Sequence, residues 1–337
     1  MPKFITIGEN IHCSRIYKTN GKFVEKDENG RFLLKYRADN EQRTVPIPDE
    51  FTENSDWQAG KVKHCAVALW QTAYGNDAEK KAGIDYLKHM AKVQESAGAD
   101  YIEVNIDEFS RDTEERIKLI KWLITEIQRT VKKPVSVDSS NPEILGAGLE
   151  ICDAERGRPM LNSVSLERLS AIEHVKKYRP VVVASAAGEQ GLPSNVEERI
   201  ANLDRLIPII MEAGLDISDI YVDPLVLPIA TDGKNGKILL DSTSAIREKY
   251  GNKIHIIGGF SNISFGMPKR NLVTQVFTYL AVEAGADSGI VNPVHVNNDI
   301  LDSMDTSSEA FKLARALLMG EDEFGMQFIT AVRGGTI

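Results

Sequence analysis

Gly258-Gly259-Phe260-Ser261-Asn262-Ile263-Ser264-Phe265-Gly266, with Arg270 just beyond it, decides the reading of the chain. The apolar residues His255 to Ile257 run straight into two glycines, then a Ser/Asn/Ser turn, then a helical pattern that begins near Lys269. That order predicts the carboxyl end of a buried strand opening into a loop. Loops of this kind carry the chemistry of β/α enzymes, because a rigid scaffold holds them while their side chains stay free.

The same grammar recurs along the chain. Short strands are expected at Phe4 to Glu9, Tyr101 to Asn105, Pro134 to Asp138, Met160 to Ser163, Val181 to Ser185, Tyr221 to Pro224, Ile254 to Gly258 and Ser288 to Asn292. Helical periodicity lies between them. Ile117, Ile120, Ile124, Ile127 and Val131 fall on one helical face, as do Ile200, Leu203, Ile207 and Ile210 in a helix capped by Ser194-Asn195. Eight alternating βα units predict a single (β/α)8 TIM barrel over residues 1–337. A doubly wound open sheet would place a Gly-rich phosphate turn after the first strand, and Gly8-Glu9-Asn10-Ile11-His12 is not one. One segment, about 14–75, interrupts the alternation. It is polar, carries Pro46 and Pro48, and sets Phe23-Val24 and Phe32-Leu33-Leu34 about Glu28-Asn29-Gly30-Arg31, a hairpin signal. We read it as an insertion after the first strand that serves as a lid or docking element. Deleting residues 20 to 60 is then expected to impair work with a partner more than ligand binding.

Strand parity points to the functional face. Glu103 and Asn105 oppose Ile102 and Val104; Ser136 and Asp138 oppose Val135 and Val137; Asp223 opposes Ile220 and Val222. If the apolar faces meet the helices, the polar ones face the barrel axis. Glu9, Asn105, Asp138, Asn162, Asp223, Asn262 and Asn292 all stand at or just past strand ends, where a barrel keeps its active site. Any single Asp or Asn there could simply cap the following helix, and Asn141 before Pro142 has that form. The set is rich in acceptors and amides, with Arg270 its main cation. It suits a flat neutral heterocycle with N–H donors better than a polyphosphate.

Composition bounds the rest. A net charge of −9 over 337 residues argues against nucleic acid and anionic membrane as partners. Cys13, Cys65 and Cys152 are scattered, which predicts free thiols in a reducing, cytoplasmic setting, and no stretch is long enough for a membrane span. His12-Cys13 and His64-Cys65 repeat a dipeptide, but adjacent strand residues point to opposite faces, so no metal site is expected. No nucleophile stands out, because Cys13 and Cys152 have no obvious paired base and the strand-end motifs hold no histidine except His12 and His295.

Gly8-Glu9-Asn10, Val137-Asp138-Ser139-Ser140-Asn141, Leu161-Asn162-Ser163, Tyr221 to Pro228 and Gly259-Phe260-Ser261-Asn262-Ile263-Ser264, in this order, resemble the motifs of the pterin-binding methyltransferases. That family includes methyltetrahydrofolate:corrinoid-protein methyltransferases and the folate domain of cobalamin-dependent methionine synthase. The resemblance implies tetrahydrofolate or 5-methyltetrahydrofolate as substrate, a corrinoid (cobalamin) carried by a partner protein, and a homodimer. It further implies that Asp138, Asn162 and Asp223 hold the pterin, that Glu9, Gly259 and Arg270 complete the site, and that Asn262 meets the nitrogen bearing the methyl group. Asn262 and Asp138 become the candidate catalytic residues, with Asn105 and Gln190 as further ligand contacts. Glu189-Gln190-Gly191 is similar to the methionine synthase domain, whereas Phe265-Gly266 stands where some family members have polar residues. Two other readings stay open: a dihydropteroate synthase-like condensing enzyme, for which Asn262 stands where a basic residue is expected, and a noncatalytic folate-binding subunit.

Overall fold

The computed structural model describes residues 3–337. Eight parallel strands form its centre: β1 (Ile5–His12), β7 (Tyr101–Asn105), β8 (Val135–Asp138), β9 (Met160–Val164), β10 (Val181–Ser185), β11 (Ile220–Asp223), β12 (His255–Ile256) and β13 (Ser288–Val291). Their order is β12-β11-β10-β9-β8-β7-β1-β13. The two ends meet: the N–H of Ile290 donates to the Gly258 carbonyl at 2.9 Å, and that of Asp287 to the Ile256 carbonyl at 3.3 Å. The fold is therefore a (β/α)8 barrel, as the alternation predicts.

Parity works as expected. Ile102, Val104, Val135, Val137, Leu161, Val182, Ile220 and Val222 belong to the large outer core between strands and helices. A smaller cluster, Ile7, Met160, Val181, Val183, Tyr221, Ile257 and Ile290, fills the inside of the barrel. This apolar floor supports the polar residues that lie further along the same strands. The helix predicted around Ile117 to Val131 spans Thr113–Thr130 and buries Ile120, Leu123, Ile124 and Ile127. The Asn195 side chain accepts from the Glu198 N–H at 2.8 Å and starts the helix Val196–Glu212.

β1 runs three residues past the expected end and changes parity on the way. Its pairing with β7 shifts between Gly8 and Ile11, after which Ile11 pairs Val104 and His12 pairs Asn105. Such an irregularity re-aims the side chains beyond it. Ile11 packs into the outer core, while Glu9 and His12 both face the barrel mouth.

The inserted segment is more structured than its polarity suggests. It contains β2 (Ile16–Lys18), β3 (Val24–Lys26), β4 (Phe32–Ala38), β5 (Glu41–Pro46) and β6 (Lys61–Lys63), with β2 paired to β6 and β3-β4-β5 forming a small antiparallel sheet. The hairpin at Asn29-Gly30 is present, and Gly30 takes the positive φ of 81°. A second hairpin turns at Asp39 and Asn40, with φ of 52° and 63°, a primed turn without glycine that the sequence reading passed over. Pro46 does not break the structure but closes β5, opposite Leu33. The 75 boundary also shifts in meaning: His64–Tyr74 is a helix buried along most of its length, so the irregular insertion ends at Lys63. Leu34, Val45, Ile47 and Val62 are buried in the outer core. Deleting 20 to 60 would strip that core, so point changes on the exposed face are the sound test of the segment.

Candidate active site

The polar strand ends converge on a cavity of about 310 Å³ at the barrel mouth, whose walls include Glu9, His12, Arg15, Glu103, Asp138, Asn162, Asp223, Gly259, Asn262 and Arg270. β8 and β9 place Asp138 directly beside Asn162, and β7 sets Glu103 beside Ser136. The Nδ2 of Asn162 donates to Glu103 Oε2 at 3.0 Å, and the Ser136 hydroxyl donates to the same oxygen at 3.3 Å. Asn105 donates to Asp138 Oδ2 at 2.9 Å and accepts from the Asp107 N–H at 2.9 Å. Asn105 is thus buried behind the wall and orients Asp138. The Leu225 N–H donates to Asp223 Oδ1 at 2.8 Å, which leaves Asp223 its second oxygen for a ligand. The capping alternative for Asp138 falls away, because Asn141 accepts from the Glu143 N–H at 2.8 Å and starts the helix Pro142–Leu149 itself.

These acids are held under strain of charge. Burial pushes the Asp138 carboxyl up to about 7, with Asp107 adding to it and the Asn105 amide opposing. Asp223 rises to about 6 through burial, against the pull of the Leu225 N–H and Arg199. Glu103 lies well above the ordinary carboxylate range, first from burial and then from the charge of Asp138. Such groups are disfavoured as free anions and gain from N–H donors brought by a ligand. Beside them His12 Nδ1 accepts from the Ser14 N–H at 3.1 Å, and its Nε2 stands 3.7 Å from Asp138 Oδ2. Burial and Arg15 lower the imidazole to about 4, so it is neutral at pH 7.

The Gly258 to Gly266 stretch closes the opposite side. Phe260–Ser264 form a 3-10 turn, and a side chain on Gly258 would collide with the Phe260 ring at 2.7 Å. The turn is braced from below: the Ser261 hydroxyl donates to Glu9 Oε2 at 3.0 Å, Arg270 Nη2 donates to the Ser261 carbonyl at 3.1 Å, and Arg270 Nε donates to Ser264 Oγ at 3.2 Å. Arg270 also lies over the Phe265 ring at 4.3 Å. Asn262, by contrast, is exposed, and its amide makes no hydrogen bond among the described residues. A rigid turn therefore presents a free amide over a ring of carboxyl groups.

Three expectations change. Gln190 is exposed on the Gly188–Gly191 turn and stands apart from the cavity wall. The site is less poor in cations than the sequence suggested, because Arg15 joins it through an ion pair with Glu9; both Arg15 and Arg270 are engaged by protein groups. Glu103 was visible by parity with Asn105 yet absent from the expected contacts, and His12 depended on the shift in β1. His64 has a separate place, buried with its Nδ1 3.0 Å from the Tyr86 hydroxyl and its ring stacked on Tyr17. Among the described residues no group of three or more His, Cys, Asp or Glu could hold a metal ion, and no helix is long and apolar enough to cross a membrane.

Residues 77–292, most of the barrel and all of its acidic strand ends after β1, match the family described as pterin binding enzyme. The chain belongs to that family. A methylcorrinoid:tetrahydrofolate methyltransferase from Eubacterium limosum is 29% identical over 257 residues, covering 75% of this chain and 89% of that protein. Methionine synthase from Mycobacterium leprae (strain TN) is 32% identical over 224 residues, which are 62% of this chain and 18% of that much longer protein. Among solved structures, dihydropteroate synthase from Xanthomonas albilineans in complex with 7,8-dihydropteroate superposes with a TM-score of 0.53 at 19% identity, over 68% of this chain and 85% of that one. The enzyme from Stenotrophomonas maltophilia gives 0.52 at 18% identity, over 67% and 86%. The last two likenesses concern the fold. In this pterin-binding barrel the wall around Asp223 depends on Arg199, which is buried and donates to the Pro224 carbonyl at 2.6 Å and the Asn195 carbonyl at 2.9 Å. Arg199→Met leaves both carbonyls without that donor. We expect a loss on the order of 2–3 kcal/mol in urea unfolding, together with weaker ligand binding; an unchanged midpoint would contradict this bracing role.

Proposed function

We propose that the protein moves a methyl group between N5 of tetrahydrofolate and the cobalt of a corrinoid carried by a partner protein. The observation that carries this reading is the free side-chain amide of Asn262, poised over a cavity whose far wall is Glu103, Asp138 and Asn162, with Asp223 on the neighbouring strand β11. The N–H edge of a pterin fits those acceptors, and their raised proton affinity makes such donors welcome. Held there, the ring turns its methyl-bearing nitrogen toward the mouth.

A tertiary amine is a poor leaving group. When the carbon–nitrogen bond breaks, its electron pair stays on N5, which takes a proton from water at the open mouth to become the N5–H of tetrahydrofolate, and a hydrogen bond aimed at that atom stabilises the transition state more than the bound substrate. Asn262 supplies the donor. It need not move, because the Glu9–Ser261 and Arg270–Ser261 bonds fix the turn. The corrinoid supplies a strongly nucleophilic cobalt and enters from the open side. The name of the Eubacterium limosum relative, methylcorrinoid:tetrahydrofolate methyltransferase, supports the same substrate class.

Stopped-flow spectroscopy tests the reading with purified corrinoid protein and 5-methyltetrahydrofolate. The expected result is a rapid conversion from the cob(I) to the methyl-cob(III) spectrum. Tight folate binding with no spectral change would favour a noncatalytic binder, and formation of dihydropteroate from a pterin diphosphate and an aromatic amine would favour a condensing enzyme. The same reading makes the protein a cytoplasmic homodimer, which sedimentation of the purified chain and cell fractionation check.

A further inference from the structure

The inserted sheet carries a second cavity, of about 400 Å³, that the methyl-transfer reading leaves unused. Its walls are Lys22, Phe23, Lys35, Tyr36, Arg37, Asn40 and Gln42. Three cations and two aromatic rings line it, with no acidic side chain. In a chain of net charge −9 that is a local reversal of sign. Lys35 is engaged with Glu25 at 2.9 Å. Lys22 and Arg37 are exposed, and among the described residues neither has a carboxylate partner.

Its position ties it to the barrel mouth. Phe23 stacks on Tyr17 with ring centroids 4.4 Å apart, and Tyr17 follows Arg15 and Ile16, which both line the main cavity. Lys22 also lies near enough to His295 to add to the effect of burial in lowering its imidazole. His295 belongs to a side chamber that shares Glu9, Arg15 and Arg270 with the main site. The way from the pterin cavity to these cations leads by Ile16 at the cavity wall and by His295 of the side chamber, beside which Lys22 stands.

We propose that this groove binds the carboxylates of an oligo-γ-glutamate tail on the folate, so that the inserted sheet selects folates by tail length. The inference rests on the folate reading of the main cavity. A pterin seated on the acids points its tail outward, and each added glutamate brings one more carboxylate along the path. Lys22 and Arg37 meet those charges, while Phe23 and Tyr36 cover the aliphatic stretches between them. The contacts are partly solvated, so each contributes modestly and salt weakens them.

Titration of the full-length protein with 5-methyltetrahydrofolate as the monoglutamate, triglutamate and pentaglutamate tests this. The wild type is expected to bind the pentaglutamate about tenfold tighter than the monoglutamate in dilute buffer, and the difference should vanish near about 0.5 M salt. The double variant Lys22→Ser, Arg37→Ser should bind all three forms with the monoglutamate affinity, and that affinity should equal the wild type's. Equal affinities of the wild type for all tail lengths, or a preference that the double variant keeps, would overturn the proposal while leaving the pterin site standing. Failure of the wild type to bind the monoglutamate at all would instead overturn the reading of the main cavity, and this inference with it.

Discussion

Asn262→Ala is expected to slow methyl transfer by roughly 30- to 1,000-fold in a single turnover, about 2–4 kcal/mol of transition-state stabilisation, while folate affinity changes little. The split follows from geometry. Asn262 sits on the turn opposite the carboxyl wall and makes no hydrogen bond to it, so its removal leaves the acceptors for the pterin edge intact. It also leaves the turn intact, because Ser261, Ser264, Glu9 and Arg270 hold that segment without it. The donor to N5 acts only as the nitrogen gains an electron pair, and an interaction of that kind appears in the rate and not in the binding constant. Rapid mixing of enzyme, methyltetrahydrofolate and corrinoid protein gives the rate; fluorescence titration gives the affinity. An equal loss of affinity with an unchanged single-turnover rate would remove Asn262 from the chemistry and return it to the role of a turn residue.

Why was so much of this barrel visible in the sequence? The strands β7, β8 and β11 are fully committed by period-two alternation: valines and isoleucines on one face can only meet helices, and Glu103, Asp138 and Asp223 are thereby forced inward. Gly258 and Gly259 mark the place where the chain must pass close to Phe260 and Asn262. What stayed hidden depends on contacts that no local pattern encodes. The shift of register after Gly8 brings His12 to Asp138, and within the shifted stretch the Asn10 N–H is satisfied by the Gln94 side chain, which accepts from it at 2.8 Å across the fold. Arg15 lies at the start of the segment read as an insertion and carries no strand-end pattern of its own, yet it closes the site by pairing with Glu9. Gln190 resembled a ligand contact by its neighbours in sequence, but the Gly188–Gly191 turn carries it to the surface. The insertion itself misleads for a physical reason: its exposed face is charged, while single residues such as Leu34, Val45 and Val62 on the other face join the common core.

Asp138→Asn is expected to act in opposite directions on binding and on stability. A carboxylate that accepts from pterin N–H groups is worth about 1.5–3 kcal/mol, so the variant should bind folate roughly ten- to a hundredfold more weakly. The wild-type affinity should also depend on pH. Burial holds the Asp138 carboxyl up to about 7 and Asp223 to about 6; below those values the acids are protonated and must release protons to accept from the ligand. Affinity should therefore rise with pH up to about 7 and level off above it, and Asp138→Asn should remove the upper part of that rise, leaving the part near 6. Stability runs the other way. The carboxyl's proton affinity is higher in the folded chain than in the unfolded one, so the contribution of Asp138 to stability is complete below about pH 4 and is lost as pH rises through 7. An amide carries no such charge. Without ligand, Asp138→Asn should melt at a higher temperature than the wild type at pH 8, and the gain should shrink toward pH 4. Calorimetry at the two pH values, beside folate titrations from pH 5 to 8, measures both effects. A variant that binds folate normally, or one destabilised at pH 8, would mean that Asp138 serves the framework of the barrel and not the ligand.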